Sequence, residues 1–166
     1  LTVTLFWKLR HNARDAFQTT FLQRAISKAQ NVSRETGRQI DRLDGLRRFL
    51  DSRDSVERHE FSQYAAPLLK GVPIRALEWI PRVSREERLF YESSAKQDGA
   101  ARFRIYEKDA DGREVRSPDR DEYFPVFYLE PLEGNELALG FDLASDPVRR
   151  AAMEKSRDTG LPVATP

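Results

Sequence analysis

The sequence predicts an α+β protein in which one long amphipathic helix precedes a small domain built on an antiparallel sheet. Two observations support this class. Apolar residues recur every three or four positions over the first third of the chain, whereas later segments alternate short apolar runs with turn signals. The predicted order is long helix, short helix, strand, helix, three strands, helix and strand. One antiparallel sheet with its helices on one side satisfies that order.

The composition argues against several classes of function. The 166 residues carry a net charge of +1, so no global field draws the chain to nucleic acid. Cys is absent, and the two histidines, His11 and His59, have no second His at metal-ligand spacing. The sequence contains no Gly-rich phosphate loop, and nothing in it places two carboxylates on opposite sides of a cleft, as a glycosidase would need. We therefore expect no metal, no cofactor and no catalytic residues.

The long helix is predicted over residues 10–50, a segment without Pro. Its apolar stripe suits either of two partners: a second copy of the helix, packed in coiled-coil fashion, or the chain's own domain. A homodimer is the first interpretation. The predicted dimerisation residues are Leu22, Val32, Ile40, Leu43, Leu46 and Phe49.

The first nine residues form a separate predicted segment. Leu1 to Trp7 are apolar or nearly so, and Lys8 follows at once. The segment has two interpretations: the end of a transmembrane helix with Trp7 at the membrane interface, or a frayed terminus. Because the sequence lacks an initiator Met, we expect a fragment or a processed product. The predicted domains are thus 1–9, 10–50 and 51–166.

Local signals predict the elements of the domain over 51–166. Asp54 or Ser55 would cap a short helix that ends at Gly71, and Ser84 with Glu87 forms a capping box that starts a helix reaching Gln97. The remaining predicted elements are strands over 74–80, 102–107, 122–129 and 136–143, a turn at 109–112, a helix from the cap at Ser145 or Asp146 to Gly160, and a strand over 161–165. Because the chain stops as that last strand begins, we expect the native polypeptide to continue.

Several blocks of sequence, in this order and at this spacing, resemble the CHASE family. They are 76–83, 87–92, 120–126, 131–136, 140–143 and 157–160. The resemblance implies the extracytoplasmic, periplasmic sensor of a membrane-anchored receptor, such as a histidine kinase, a diguanylate cyclase or another GGDEF/EAL protein. It also implies a long N-terminal helix that dimerises and a PAS-like membrane-distal lobe that holds a small-molecule ligand. Plant cytokinin receptors use the same domain, so a cytokinin-like adenine derivative is one candidate ligand.

The resemblance also implies a ligand contact at Asp121, since the matching Asp hydrogen-bonds adenine in cytokinin-binding members. A period of two places Tyr123, Pro125 and Phe127 on the same strand face as Asp121. Same-face residues on neighbouring strands complete the predicted pocket: Phe103, Ile105, Leu139 and Phe141, with Trp79 as a wall. The alternative is that Asp121 pairs with a surface Arg and that the apolar residues are core.

Two functions therefore remain open at this point. The first is a small-molecule sensor, whose ligand would be an adenine derivative, a peptide, an amino-acid derivative or another metabolite. The second is a dimerisation or protein-interaction module whose pocket is degenerate. The sequence does not distinguish the output domain or the sign of the response.

Overall fold

The computed structural model describes the backbone of residues 2–53 and 55–165, and the side chains from Phe21 onward. The Trp7 side chain, predicted at a membrane interface, and Asp54, a predicted cap, lie outside what the structure describes. Within them, a long N-terminal helix, short antiparallel strands and further helices confirm the α+β class. The chain divides into two compact units, one up to Arg47 and one from Arg48 onward.

The first helix, α1, runs over Thr2–Asp51, which extends the predicted helix toward the N-terminus. Its large apolar side chains are mostly exposed: Leu22 by 58%, Val32 by 66% and Leu43 by 45%, whereas Leu46 is buried at 4%. In the described part of the chain, no helix has an apolar stretch that could cross a bilayer. Most of the predicted apolar stripe of α1 thus faces solvent.

Over its described residues, 48–53 and 55–165, the second unit contains three further α-helices and six short strands. The helices are α2 (Arg58–Leu68), α3 (Arg88–Gln97) and α4 (Pro147–Thr159). The strands are β1 (Leu77–Trp79), β2 (Val83–Ser84), β3 (Tyr106–Lys108), β4 (Glu114–Arg116), β5 (Glu122–Tyr123) and β6 (Tyr128–Glu130). They pair in two-stranded antiparallel ladders, β1 with β6, β2 with β5 and β3 with β4, so these residues form separate ladders where the sequence predicts one sheet.

Several predicted strands differ from the structure. Residues 122–129 divide into β5 and β6, because Pro125 between them has no N–H for a ladder and makes an isolated bridge to Asp142. The strand predicted over 136–143 is wrong. A 3-10 turn at Glu136–Ala138 and the positive φ of 84° at Gly140 interrupt the extended chain. No strand forms over 161–165.

The helix ends follow the predicted caps with one exception. Ser84 and Glu87 exchange the two capping-box hydrogen bonds at 3.0 and 3.3 Å, although regular helix begins only at Arg88. The Asp146 side chain accepts the N–H groups of the first turn of α4. For α2 the predicted cap at Ser55 is wrong: the Glu57 N–H donates to the Glu60 carboxylate at 3.0 Å, which fixes the start of the helix two residues later.

The core of the second unit is rich in aromatic rings. Phe127 contacts the rings of Trp79, Phe103 and Tyr91 at centroid distances of 5.7, 5.5 and 5.2 Å, all edge to face. Phe61 of α2 lies 5.7 Å from the Tyr128 ring of β6. These contacts join α2, α3 and the β1–β6 ladder into one packed body.

Candidate functional site

Asp121 lies on the surface. Its side chain is 99% exposed, and its carboxylate pairs with Arg85 at 2.9 Å. The main chain reinforces the pair, because the Arg85 N–H donates to the Asp121 carbonyl at 3.1 Å. Asp121 therefore stands apart from the other residues of the predicted pocket, in the surface ion pair that the alternative interpretation describes.

The remaining predicted pocket residues divide into two groups. Those packed in the core are Phe103, Ile105, Tyr123, Pro125 and Phe127, and those half-buried at its edge are Trp79, Leu139 and Phe141. The alternation expected along 121–127 does not continue, since all of 125–129 are buried. The run 125–129 is buried on both faces. The alternation of side chains along the strand therefore does not distinguish core residues from pocket residues there.

A buried ion pair on α3 holds the surrounding loops. Arg88 and Glu92 are 4% and 6% exposed and pair at 3.2 Å. Arg88 also donates to the carbonyls of Ile105 and Ser117 and to the Tyr123 hydroxyl at 2.9–3.2 Å. Sequence reasoning missed this pair, although its spacing of four residues within a predicted helix was a usable signal. Its saturated hydrogen bonds indicate a structural role.

A second buried carboxylate, Asp142, organises the turn after Gly140. It is fully buried, accepts the Phe124 and Ala144 N–H groups at 2.9 and 3.2 Å, and pairs with Arg120 at 3.1 Å. Arg120 also pairs with Glu107. Because these contacts join β3, the residues on either side of β5 and the turn after Gly140, the network fixes the loops around β5.

A groove runs along α4. It consists of two adjoining depressions of about 520 and 370 Å³ that share Ile80 and Met153, and we call it the α4 groove. No residue of α4 is fully buried, so the helix packs only partly against the rest of the second unit. The groove is lined by Glu78, Ile80, Arg82, Glu122, Phe124, Leu143, Arg149, Arg150, Ala152, Met153, Glu154, Ser156, Arg157, Val163 and Thr165.

The electrostatics of the α4 groove centre on Glu78 of β1. The residue is exposed to solvent, but partial desolvation by its neighbours raises the pKa of its carboxyl, and the nearby Arg149 guanidinium opposes that rise. Arg149 itself lies over the Phe141 ring at 5.7 Å. A desolvated carboxyl beside an apolar wall and one cation can accept hydrogen bonds from a small polar ligand.

A second cleft, about 540 Å³ in volume, lies between the exit of α3 and the segment after β6. We call it the Leu139 cleft. Phe103 and Leu139, both predicted pocket residues, line it together with Arg58, Asp98, Gly99, Ala100, Ala101, Arg102, Arg104, Tyr106, Glu114, Leu132, Glu136 and Leu137. The two clefts have no lining residue in common. Over the residues that the structure describes, no cluster of His, Asp or Glu could hold a metal ion.

Comparison with known proteins agrees with the predicted resemblance. Hybrid signal transduction histidine kinase A of Dictyostelium discoideum is 30% identical over 95 residues, which covers 56% of this chain and 4% of that protein. The chain thus spans a small part of this relative. A family model of the CHASE domain matches residues 54–166, more than half of the chain. The chain therefore belongs to the CHASE domain family of signal-sensing domains.

Proposed function

We propose that this chain is the ligand-sensing part of a membrane-bound signalling receptor, exposed in the periplasm, and that it binds a small molecule in the α4 groove. The family supports the sensing role, and the groove carries the binding proposal. A kinase or diguanylate cyclase output domain would lie outside this chain, so the chain itself would be no enzyme.

The chemistry of the groove favours a ligand with an apolar body and hydrogen-bond donors. Ile80, Met153 and Val163 supply apolar contacts, and Glu78 supplies an acceptor whose raised pKa marks a partly dry environment. An adenine-type cytokinin fits this description, as do amino-acid derivatives, short peptides and other small metabolites. Specificity would come from Glu78 and Arg149, which face the same depression.

A thermal-shift screen of the purified chain against such metabolites tests the proposal. A ligand at 100 times its Kd adds about 2.7 kcal/mol, a rise in Tm of roughly 10 °C. Met153→Trp, which fills the groove, should remove the shift, and Glu78→Gln should weaken it. Asp121→Ala is the matched control, and loss of the shift there would instead support the Asp121-centred pocket. Failure of every metabolite to raise Tm would argue against the sensor.

Dimerisation through α1 is the second part of the proposal. Leu22, Ala29, Thr36 and Leu43 recur at seven-residue spacing, and Val32 follows the second of these by three. The exposed fractions of Leu22, Val32 and Leu43 leave this seam open to a second copy. A ligand would act by favouring one of two arrangements of the helix pair, to the extent that its affinity differs between them.

Sedimentation velocity tests the helix seam. Leu22→Glu with Leu43→Glu should convert the dimer to a monomer, because it places charges at the seam. Arg24→Glu with Arg38→Glu adds the same number of acidic side chains two positions after Leu22 and Thr36, outside the seam, and should leave the dimer intact. A dimer that survives the first pair of changes would refute the seam.

A second candidate function is a dimerisation or protein-interaction module with a degenerate pocket. The observation that favours it is the core position of Phe103, Ile105, Tyr123, Pro125 and Phe127, which fill the predicted pocket themselves. A chain that dimerises through α1 but gains no thermal stability from any metabolite would select this function over the sensor.

A further inference from the structure

The Leu139 cleft contains a rigidly held guanidinium at one end. Arg58 donates from Nε to the Asp98 carbonyl at 3.2 Å and from Nη2 to the Phe127 carbonyl at 3.5 Å, and it lies over the Tyr128 ring at 5.0 Å. Its side chain is only 18% exposed. Three contacts from two segments therefore hold this guanidinium, so Nη1 has a defined position before any ligand arrives.

Two buried polar atoms at this end have no hydrogen-bond partner among the described residues. They are Nη1 of Arg58, a donor, and Oδ2 of Asp98, an acceptor. Oδ2 lies 3.3 Å from Arg58 Nε, but that N–H is already directed at the Asp98 carbonyl. Leaving such groups unsatisfied is costly, so any molecule that satisfies both would favour the bound state.

The rest of the cleft is largely apolar and its charges are balanced. Phe103, Leu132, Leu137 and Leu139 line it, and Leu137 at the rim is 81% exposed. The Arg58–Asp98 pair is internally neutral, and Arg104 is paired with Glu114 at 3.8 Å. A charged ligand would meet a charge of its own sign in each of these pairs and be repelled by it. A neutral ligand would not.

The close approach of two segments keeps the cleft in shape. A Cβ placed on Gly140 would lie 2.1 Å from the Arg104 carbonyl oxygen, and the Tyr106 hydroxyl donates to the Leu137 carbonyl. These contacts fasten the segment 132–140 to the segment 98–106 at the base of the cleft, so the walls do not close over it.

We propose that the Leu139 cleft is a second small-molecule site, separate from the α4 groove, for neutral molecules that carry an amide group on an apolar body. The amide oxygen accepts from Arg58 Nη1, the amide N–H donates to Asp98 Oδ2, and the apolar body lies on Phe103 and Leu139. This site does not depend on the proposed sensor site, because the two clefts are lined by different residues.

A series of three matched probes tests the class of ligand. Hexanamide carries both an acceptor and a donor, hexanoate carries only acceptors, and hexylammonium carries only donors. In an NMR titration of the full 166-residue chain, hexanamide should perturb the amides of residues 98–104 and 132–140 and bind at least ten-fold more tightly than either ion. Equal affinities for the three probes, or perturbations confined to other residues, would overturn the proposal.

Two variants, each with a matched control variant, give the test a readout that a structural role would not produce. Asp98→Asn removes the negative charge beside Arg58, so the preference should move by about ten-fold from hexanamide toward hexanoate. Asp121→Asn, the same change at an exposed carboxylate outside both clefts, should leave the preference unchanged.

Ala101→Trp, at an exposed lining position, should abolish the perturbations, whereas Ala110→Trp in the β3–β4 turn should not. Binding that survives Ala101→Trp, or an unchanged preference in Asp98→Asn, would refute the site.

Discussion

Large apolar residues are mostly exposed in the described part of α1 up to Arg47, whereas many of those in the unit from Arg48 onward are buried. In α1, Val32 is 66% and Leu22 58% exposed, whereas in the second unit Val83 and Ile105 are completely buried. The second unit thus has a core of buried apolar residues. Leu22 and Val32 of α1 remain exposed to solvent. Substitutions in the second unit should consequently affect folding, and substitutions in the stripe should affect association.

The largest effect is expected at Asp142. Asp142→Ala leaves Arg120 and two main-chain N–H groups without their buried acceptor, so the free energy of unfolding should fall by about 3–5 kcal/mol. Urea denaturation followed by circular dichroism measures it. Asp121→Ala, in an exposed ion pair, is the control and should change the value by less than about 1 kcal/mol. A loss below 1 kcal/mol at Asp142 would show that the second unit does not depend on this network.

Gly140→Ala should give the next largest loss in the free energy of unfolding. The new Cβ would lie 2.1 Å from the Arg104 carbonyl oxygen, at a φ of 84° that side chains rarely adopt, so we expect a loss of about 3 kcal/mol. Gly112 has a similar φ of 78° but open surroundings, and Gly112→Ala should cost only about 1 kcal/mol. The difference between the two denaturation midpoints isolates the close approach, and equal losses would contradict it.

Tyr128 should make the second unit sensitive to alkaline pH. Burial, followed by the nearby Asp98 carboxylate, raises the pKa of Tyr128 to about 12, against about 10 in an unfolded chain. The folded state holds the proton more tightly, so this contribution is present below pH 10 and is lost as pH rises toward 12.

Tyr128→Phe should remove that loss. At pH 7 it should cost about 1 kcal/mol, since the hydroxyl donates to the Val56 carbonyl at 2.9 Å. Unfolding free energies measured from pH 8 to 11.5 should decline less steeply for the variant than for the parent. Equal declines for the variant and the parent would mean that the pKa of Tyr128 does not differ between the folded and unfolded states.

The smallest effect on folding is expected in α1. Leu22→Glu, measured at a concentration where the chain is monomeric, should change the free energy of unfolding of the second unit by less than about 0.5 kcal/mol. The comparison of the two regions would fail if this change cost 2 kcal/mol or more, because the stripe would then be packed on the chain's own domain.

Local features of the fold could be predicted because local interactions determine them. The turn at 109–112 forms as expected: the Asp109 carboxylate accepts from the Asp111 and Arg113 N–H groups, and Gly112 takes a positive φ. The conformation of 136–143 could not be predicted. Long-range contacts with Arg104 and Arg120 decide it, and these outweigh the alternating pattern of the segment.

The candidate sites were less accessible to sequence reasoning. Phe103 and Leu139 line the Leu139 cleft, but Asp121 lines neither of the two clefts, because it precedes β5 at the surface, beside Arg85. Glu78 and Arg149 are distant in sequence and share a groove only because α4 lies against β1. Neither residue has a local pattern that distinguishes it from an ordinary surface charge.

The division of the strands into short two-stranded ladders has a consequence for hydrogen exchange. Each ladder pairs only two or three residues, so few amides of the second unit are protected by strand pairing. Slowly exchanging amides should instead cluster where buried side chains accept them, as at Phe124 and Ile105. We expect the amides between these anchored positions to exchange faster, through local opening that leaves the rest of the second unit folded.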